Sequence, residues 1–538
     1  MKKIISLFCL ALMATGTIAA AKVFYCDPAS TNEKAKGLSW DDAVTVSQLR
    51  KSLTQSALDG ATIYIKGGTI QFTQLSDLWT IKASVTLIGG FNPSATGTVT
   101  ELPTYPSATP TIFNGDINKN GVPDKGDAKA LIRVDFSADK SKTITIQGFN
   151  LINTYYDEEE SPNDEATAMN ECAALRLIRG TAYVKNCYLY NHCSPNNRGS
   201  QSVTVVGARL HMSDCELHDS YSLTRGGLLR MRQFFINNDP AQPENPDCVL
   251  ERCCFYNGNN MGGQTFAADA KYGGAVHVSY GPIFAINCTF ANNMTYCDGG
   301  GINANKDGVS VISCTFVNNI CAAPEDQGQE ARYRNTYGSA FRAADDGPMR
   351  IANTFALDDK DNGTKNYALI YSDGNSIAMP TLVTSGGYNV LGTFFYYLNG
   401  AQVDKQSEVW KSSDVWTPIN GPAEHFLTYF GENKILQKNG GFSKTLLPLE
   451  MQNGDNVAHL QELADAWCPS WTKVDASVDQ RGFKRDAQVT CVGAAAIDAE
   501  EPSALFNVKS KTQTAVKTLI NGQIVIIKDD KIMNILGL

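Results

Sequence analysis

The residues best spaced for chemistry run Asp116-Ile-Asn118-Lys-Asn120-Gly121-Val-Pro-Asp124-Lys-Gly-Asp127, with side-chain oxygens at positions 1, 3, 5, 9 and 12 and glycine at 6. Hard oxygen donors at that spacing, bent by a central glycine, are the pattern of a loop that wraps a calcium ion. Asp127 gives a shorter arm than the glutamate usual at the last position, and the flanks read as strand rather than helix. Asn-Gly beside Asp is also ordinary turn chemistry. The expectation is a structural calcium site at Asp116, Asn118, Asn120, Asp124 and Asp127, or a plain turn, and no other cofactor is implied.

Catalysis on a sugar needs an acid and a base that converge. Asp345-Asp346 is a carboxylate pair of the kind that works across a glycosidic bond. Arg225, Arg230 and Arg232 cluster near an inserted stretch, although arginine stays charged in ordinary surroundings and is usually structural. The six histidines are scattered: His211 and His218 fall in strands or turns, His277 in a strand, and none makes a metal or triad pattern. Without convergence of two roles no catalytic residue is named. Should the chain be an enzyme, Asp345, Asp346, Arg230 and Arg232 are the candidates, and the reaction is that of a polysaccharide lyase or glycoside hydrolase.

The elements that position these groups come from a repeat. A five-residue corner recurs at Cys187-Tyr-Leu189-Tyr-Asn191, Cys215-Glu-Leu217-His-Asp219, Cys253-Cys-Phe255-Tyr-Asn257, Cys288-Thr-Phe290-Ala-Asn292 and Cys314-Thr-Phe316-Val-Asn318. Strand side chains alternate faces, so Cys, Leu/Phe and Asn/Asp at i, i+2 and i+4 are expected on one inward face. A quartet of mostly small residues ends twelve residues before four of these cysteines: Cys172-Ala-Ala-Leu175, Ser200-Gln-Ser-Val203, Gly273-Gly-Ala-Val276 and Gly299-Gly-Gly-Ile302. Gly338-Ser-Ala-Phe341 keeps the interval although Asn353 replaces its cysteine. Between the two signals lie alternating stretches preceded by turn residues such as Gly180, Gly281 and Gly308. One rung is therefore strand, turn, strand, Asn turn. Such a unit cannot bury its apolar face alone, and stacking does it. The fold expected is all-β: a right-handed parallel β-helix solenoid with an N-terminal helical cap and a small C-terminal β hairpin.

Length varies almost only after the Asn turn. Inserts at 154–171, 192–199, 220–225, 258–272, 293–298 and 319–337 must emerge on one side of a solenoid, where binding faces often lie. They carry Tyr155, Tyr156, Tyr221, Tyr272, Tyr296, Tyr333 and Tyr337 beside acids and amides, a set that suits sugar rings or simply covers the rungs. The acidic run Asp157 to Glu160, with Asp164, Glu165 and Glu171, is expected to be solvated.

Lys2-Lys3, an apolar stretch to Met13 and small residues to Ala21 read as a secretory signal peptide over residues 1–21. No other segment is long and apolar enough to cross a bilayer as a helix. The net charge of −9, −11 once Lys2 and Lys3 are removed, makes nucleic acid a poor partner. Fifteen cysteines in an exported chain permit disulfides. The pairs Cys172 with Cys193, Cys297 with Cys321 and Cys468 with Cys491 are hypotheses on that ground. Along the chain we expect an N-terminal cap and first strands at 22–80, rungs over 81–395, irregular last rungs and a C-terminal cap at 396–500, and a tail hairpin at 501–538 that has the look of a sorting or anchoring signal.

Gly37-Leu-Ser-Trp40-Asp-Asp-Ala43, Ile63-Tyr-Ile65-Lys-Gly67, Leu87-Ile-Gly89-Gly90-Phe91 and Thr111-Ile112-Phe-Asn-Gly115-Asp116 look like the opening of secreted right-handed β-helix proteins. The Gly-Gly-Ala-Val and Phe-Ala-Asn-Asn elements at Gly273 and Phe290, echoed at Gly299 and Phe316, resemble the chlamydial polymorphic outer-membrane protein repeat. Asn439-Gly-Gly441, Thr445-Leu-Leu-Pro448, Asp479-Gln-Arg-Gly482-Phe-Lys-Arg485 and Val492-Gly-Ala494 resemble the end of the choice-of-anchor Q group. These resemblances imply the fold strongly and the activity hardly at all. Pectin lyases and polygalacturonases use the same fold, but the Gly-His-Gly that accompanies the polygalacturonase carboxylates is missing here. The reading is an exported, adhesin-like monomer, extracellular or on the outer-membrane surface, that binds glycan or a host or matrix protein through its loops. The alternative is a lyase or hydrolase acting on an acidic polysaccharide.

Overall fold

The computed structural model describes residues 22–156, 173–194, 202–222, 226–236, 242–260, 273–295, 298–321, 338–357, 370–374, 382–392, 394–398, 401–402, 409–416, 429–430, 436–501, 516–520, 523–528 and 531–534. The signal segment and Cys172, Cys297, Tyr272, Tyr296, Tyr333 and Tyr337 lie outside the described residues.

Three long sheets run side by side, called I, II and III, and within a rung the chain visits III, then I, then II. Among the described residues sheets I and III have eleven strands and sheet II thirteen. One rung reads Val203–Val206 in sheet III, Arg209–Ser213 in sheet I and Glu216–Ser222 in sheet II, and the next begins at Leu229–Arg232 back in sheet III. Each strand pairs in parallel with its counterpart one rung away, for example Val203 with Leu229 and Leu217 with Phe255. The fold is a right-handed parallel β-helix.

The repeat cysteines fill the inside of the bend from sheet I to sheet II. Cys187, Cys215, Cys253, Cys288 and Cys314 are all buried, and each thiol donates to the carbonyl two residues before it at 3.2–3.4 Å. Burial raises the Cys215, Cys253 and Cys288 thiols well above their ordinary pKa, so they are inert packing groups. Cys468 and Cys491 are free thiols, as is Cys193; the hypothesised Cys468 to Cys491 bridge is not formed. The next column stacks Phe255, Phe290 and Phe316 with centroids 5.0 and 4.7 Å apart and planes within 6°.

The third column departs from the expectation. Asn153, Asn191, Asp219, Asn257, Asn292 and Asn318 do stack, with bonds such as Asn318 Nδ2 to Asn292 Oδ1 at 2.7 Å, but all six have φ between 48° and 61°. One left-handed residue breaks the alternation of faces. Asp219, Asn257 and Asn292 are therefore exposed and Asn191 and Asn318 half-buried, with Asn153 still buried at the end of the column, and the residues that follow turn inward. Thr154, His192, Ser220, Asn293 and Asn319 form the buried polar column.

The N-terminal helix α1, Val46–Ser52, is short and begins with a capping box between Thr45 and Gln48. Leu49, Leu53 and Leu58 are buried as their spacing implies. Residues 429–430 and 436–499 fold back along the outside of the rungs. Helix α2, Val457–Trp467, lays Leu460 and Ala464 on the outer face of sheet I at Val249, Phe284, Ile286, Ile312 and Ala352. Phe430, Leu436, Leu446 and Val492 cover sheet II at Ala291, Val317, Phe355 and Leu357. The Asp479 to Arg485 stretch latches this layer down. Arg485, buried, donates to the carbonyls of Val478, Cys491, Gly493 and Ala494 and to Asn287 Oδ1 of a rung bend. Gln480 bonds Cys253 O and Thr289 Oγ1. A separate unit, 500–538, is the expected hairpin of Gln523–Lys528 and Lys531–Asn534 with one further strand, Val516–Ile520, in front.

Candidate functional site

Sheet III is where the inserts rejoin the rungs, and its strands begin on the last residue of each small quartet. Leu175, Val203, Leu229, Val276, Ile302 and Phe341 point into the core. The residue after each one must then face outward. Parallel register sets these outward residues in one row, Thr80, Arg133, Arg176, Thr204, Arg230, His277, Asn303 and Arg342, about 4.8 Å apart by rung spacing. Four arginines and a histidine thus share one line on a chain whose net charge is negative.

The lower half of the row is hydrogen-bonded along its length. Arg342 Nη1 donates to Asn303 Oδ1 at 3.3 Å, Asn303 Nδ2 donates to His277 Nδ1 at 3.1 Å, and His277 Nε2 meets Ser279 Oγ at 2.9 Å. An amide N–H on Nδ1 places the imidazole proton on Nε2, so this histidine is neutral in that arrangement. At the upper end Arg133 pairs with Asp135 at 3.0 Å, and at the lower end Arg342 lies 3.5 Å from Asp298. Burial alone would raise Asp135, but the Ser137 hydroxyl and amide and the Arg133 guanidinium hold its carboxyl below the usual range. Arg176, Arg230 and His277 are buried, whereas Arg133, Arg232 and Arg342 are half-buried.

Arg230 belongs to this row, and Arg232 lies two residues on, in register with Val206. Asp345 and Asp346 are elsewhere: both have positive φ, 55° and 63°, in the turn from sheet III to sheet I. That turn is three rungs from Arg230, about 14 Å by rung spacing. Tyr155 and Tyr221 occupy equivalent outward positions, each in register with Cys193. Tyr156 instead turns inward at 5% exposure, its ring face 5.6 Å from Lys129 Nζ, and so packs the corner.

The Asp116 to Asp127 loop is closed by its own groups. Asp116 accepts from the amides of Asn120 and Gly121, and Asp127 from those of Ile117 and Asp124. Asn118 and Asn120 donate their side-chain amides to Asp124. Burial, with Asp116 and Asp124 nearby, raises the Asp127 carboxyl. Among the described residues, no group of three or more His, Cys, Asp or Glu is arranged to hold a metal ion.

The row was readable from sequence as the residue after each small quartet. It escapes notice because its residue types change from rung to rung, and because Gly226-Gly-Leu-Leu229, a further quartet, stands 24 residues before Cys253 instead of twelve.

No family model matches this chain, and no curated protein does. Solved structures that it resembles include pectate lyase Pel9A, at 14% identity over 62% of this chain and 75% of that one with a TM-score of 0.33. The complex of XylC with xylose is similar at 11% over 82% and 65%, TM-score 0.41, and a rhamnogalacturonan lyase at 13% over 65% and 85%, TM-score 0.30. These likenesses are distant and assign no activity. No helix among the described residues is long and apolar enough to cross a membrane.

Proposed function

We propose that this chain is an exported β-helix protein that engages an acidic polysaccharide on its insert-bearing side. The observation that carries the reading is the outward row of sheet III, Arg133, Arg176, Arg230, His277 and Arg342 in one register. The guanidiniums of this row, Arg133 and Arg342 with carboxylate partners of their own, set a field that favours a polyanion. A polyuronate carries one carboxylate per sugar and matches a repeated cation better than a neutral glycan does. This narrows the ligand from glycan or matrix protein in general to an acidic polymer.

One observation favours a lyase as the second reading: Arg230 and His277 are direct register neighbours. A guanidinium that neutralises a uronate carboxylate acidifies the adjacent C–H, and an imidazole lone pair takes that proton. The electron pair then forms the C4–C5 double bond and expels the glycosidic oxygen. Asn303 holds the Nδ1 lone pair, so this chemistry requires substrate to displace that amide.

Polygalacturonate and its fully methyl-esterified form separate these readings. Binding of the acid form alone, without unsaturated product, supports the binding protein; ultraviolet absorbance from unsaturated uronate supports the lyase; equal binding of both forms contradicts either. Membership of the polymorphic repeat and choice-of-anchor Q groups, display at the cell surface, and structural calcium at Asp116, Asn118, Asn120, Asp124 and Asp127 belong to the same proposal. For the metal, a calorimetric titration of calcium with no heat counts against it.

A further inference from the structure

A cleft of about 210 Å³ opens on a different side of the molecule, at the bend from sheet I to sheet II. Three distant parts of the chain meet there. Tyr105, Pro106, Ser107 and Pro110 come from the N-terminal loop, Asn150, Asn186 and Tyr188 from successive rungs, and Lys438 and Phe442 from the folded-back layer. The walls are fixed. Tyr105 donates its hydroxyl to Gly89 O at 2.8 Å and lies so close to Gly148 that a Cβ there would stand 2.3 Å from the tyrosine ring. Tyr188 stacks on Phe442 with centroids 4.6 Å apart and donates to Phe442 O at 3.0 Å.

The lining has the composition of a sugar site. Aromatic walls offer electron-rich faces to C–H groups, the amides of Asn150 and Asn186 offer both donors and acceptors to hydroxyls, and Lys438 supplies a cation at the rim. Its Nζ lies 4.6 Å from the Tyr188 ring centroid and bonds the Tyr188 hydroxyl, so the ammonium is already oriented, and it has three N–H groups to share. The volume is below the roughly 300–1,000 Å³ of pockets that enclose drug-sized ligands, which leaves room for a single ring. We propose that this cleft binds one acidic sugar residue, with its carboxylate on Lys438 and its ring between Tyr105 and the stacked Tyr188–Phe442 pair, as a site separate from the arginine row. The inference holds whether or not that row binds a polymer.

The test is saturation-transfer NMR with calorimetry on the full chain, using galacturonate and galactose as probes that differ only in the carboxylate. Galacturonate is expected to bind at least about tenfold more tightly than galactose, as one charge-assisted contact provides. Lys438→Gln is expected to remove that preference with an unchanged melting temperature, because Lys438 is exposed, and Asn150→Ala to weaken both sugars alike. Equal affinity for the two probes, or undiminished galacturonate binding by Lys438→Gln, overturns the proposal.

Discussion

The same middle rungs present two different exteriors. On sheets I and II the outward residues are apolar, Phe284, Ile286, Ile312, Val317 and Phe355 among them, and the folded-back layer buries them. On sheet III the outward residues of those rungs are Arg230, His277, Asn303 and Arg342. The contrast teaches that the solenoid closes a second hydrophobic layer on two sides and spends polar side chains on the third. A strand apolar on both faces, such as Ile283–Ile286, demands an apolar cover; the sheet III strands carry polar side chains on that face, buried at Arg230, His277 and Asn303.

The largest effects should come from the interior that both exteriors share. Phe290→Ala removes the middle ring of the stacked column and leaves a cavity, so it is expected to cost about 3–5 kcal/mol in chemical denaturation. Sheet I and sheet III strands of that rung should then lose protection together. A smaller and more local loss is expected at the covered face. Leu460→Ala should cost about 3 kcal/mol, and amide exchange should rise in 457–467 while the rungs of 203–260 stay protected; equal exchange in both would mean that the layer is not a separate cover.

Acid probes the polar column. Burial, with His218 nearby, pushes the His192 imidazole from 6.5 down to about 3. The unfolded chain takes the proton near its ordinary pKa and the folded chain refuses it, so stability falls as pH drops from about 6.5 towards about 3. The loss reaches about 2 kcal/mol by about pH 5. His192→Asn should flatten that part of the pH profile of denaturation, and an unchanged slope would remove His192 as its source. The smallest stability effect is expected on the row. Arg133→Gln and Arg342→Gln each sit half-buried in ion pairs and should cost less than about 1 kcal/mol.

Much of the fold was legible because the Cys, Leu/Phe column repeats at a fixed interval that only a stacked strand explains. The Asn column misled because φ sign is invisible in a spacing rule: a single left-handed residue moved Asn191 through Asn318 outward and Thr154, His192 and Ser220 inward. The fold-back layer left no local trace, since Gln480 meets Cys253 and Arg485 meets Asn287 across roughly two hundred residues. Of the candidate site, Arg230 and Arg232 were seen as residues but not as part of a row, because a row is a property of register. Of the tyrosines, Tyr155 faces outward and Tyr156 inward, because residues of one loop need not share a face.

The central claim is that the cationic exterior of sheet III recognises carboxylates. The most direct measurement is the affinity of the Arg133→Gln, Arg342→Gln double variant and of the unaltered chain for polygalacturonate and its methyl ester, across a salt series. The account predicts that the unaltered chain prefers the acid form, that the preference fades with salt, and that the double variant loses about tenfold affinity for it while folding normally. Equal affinity for the two polymers, or a double variant that binds polygalacturonate as well as the unaltered chain, would contradict it.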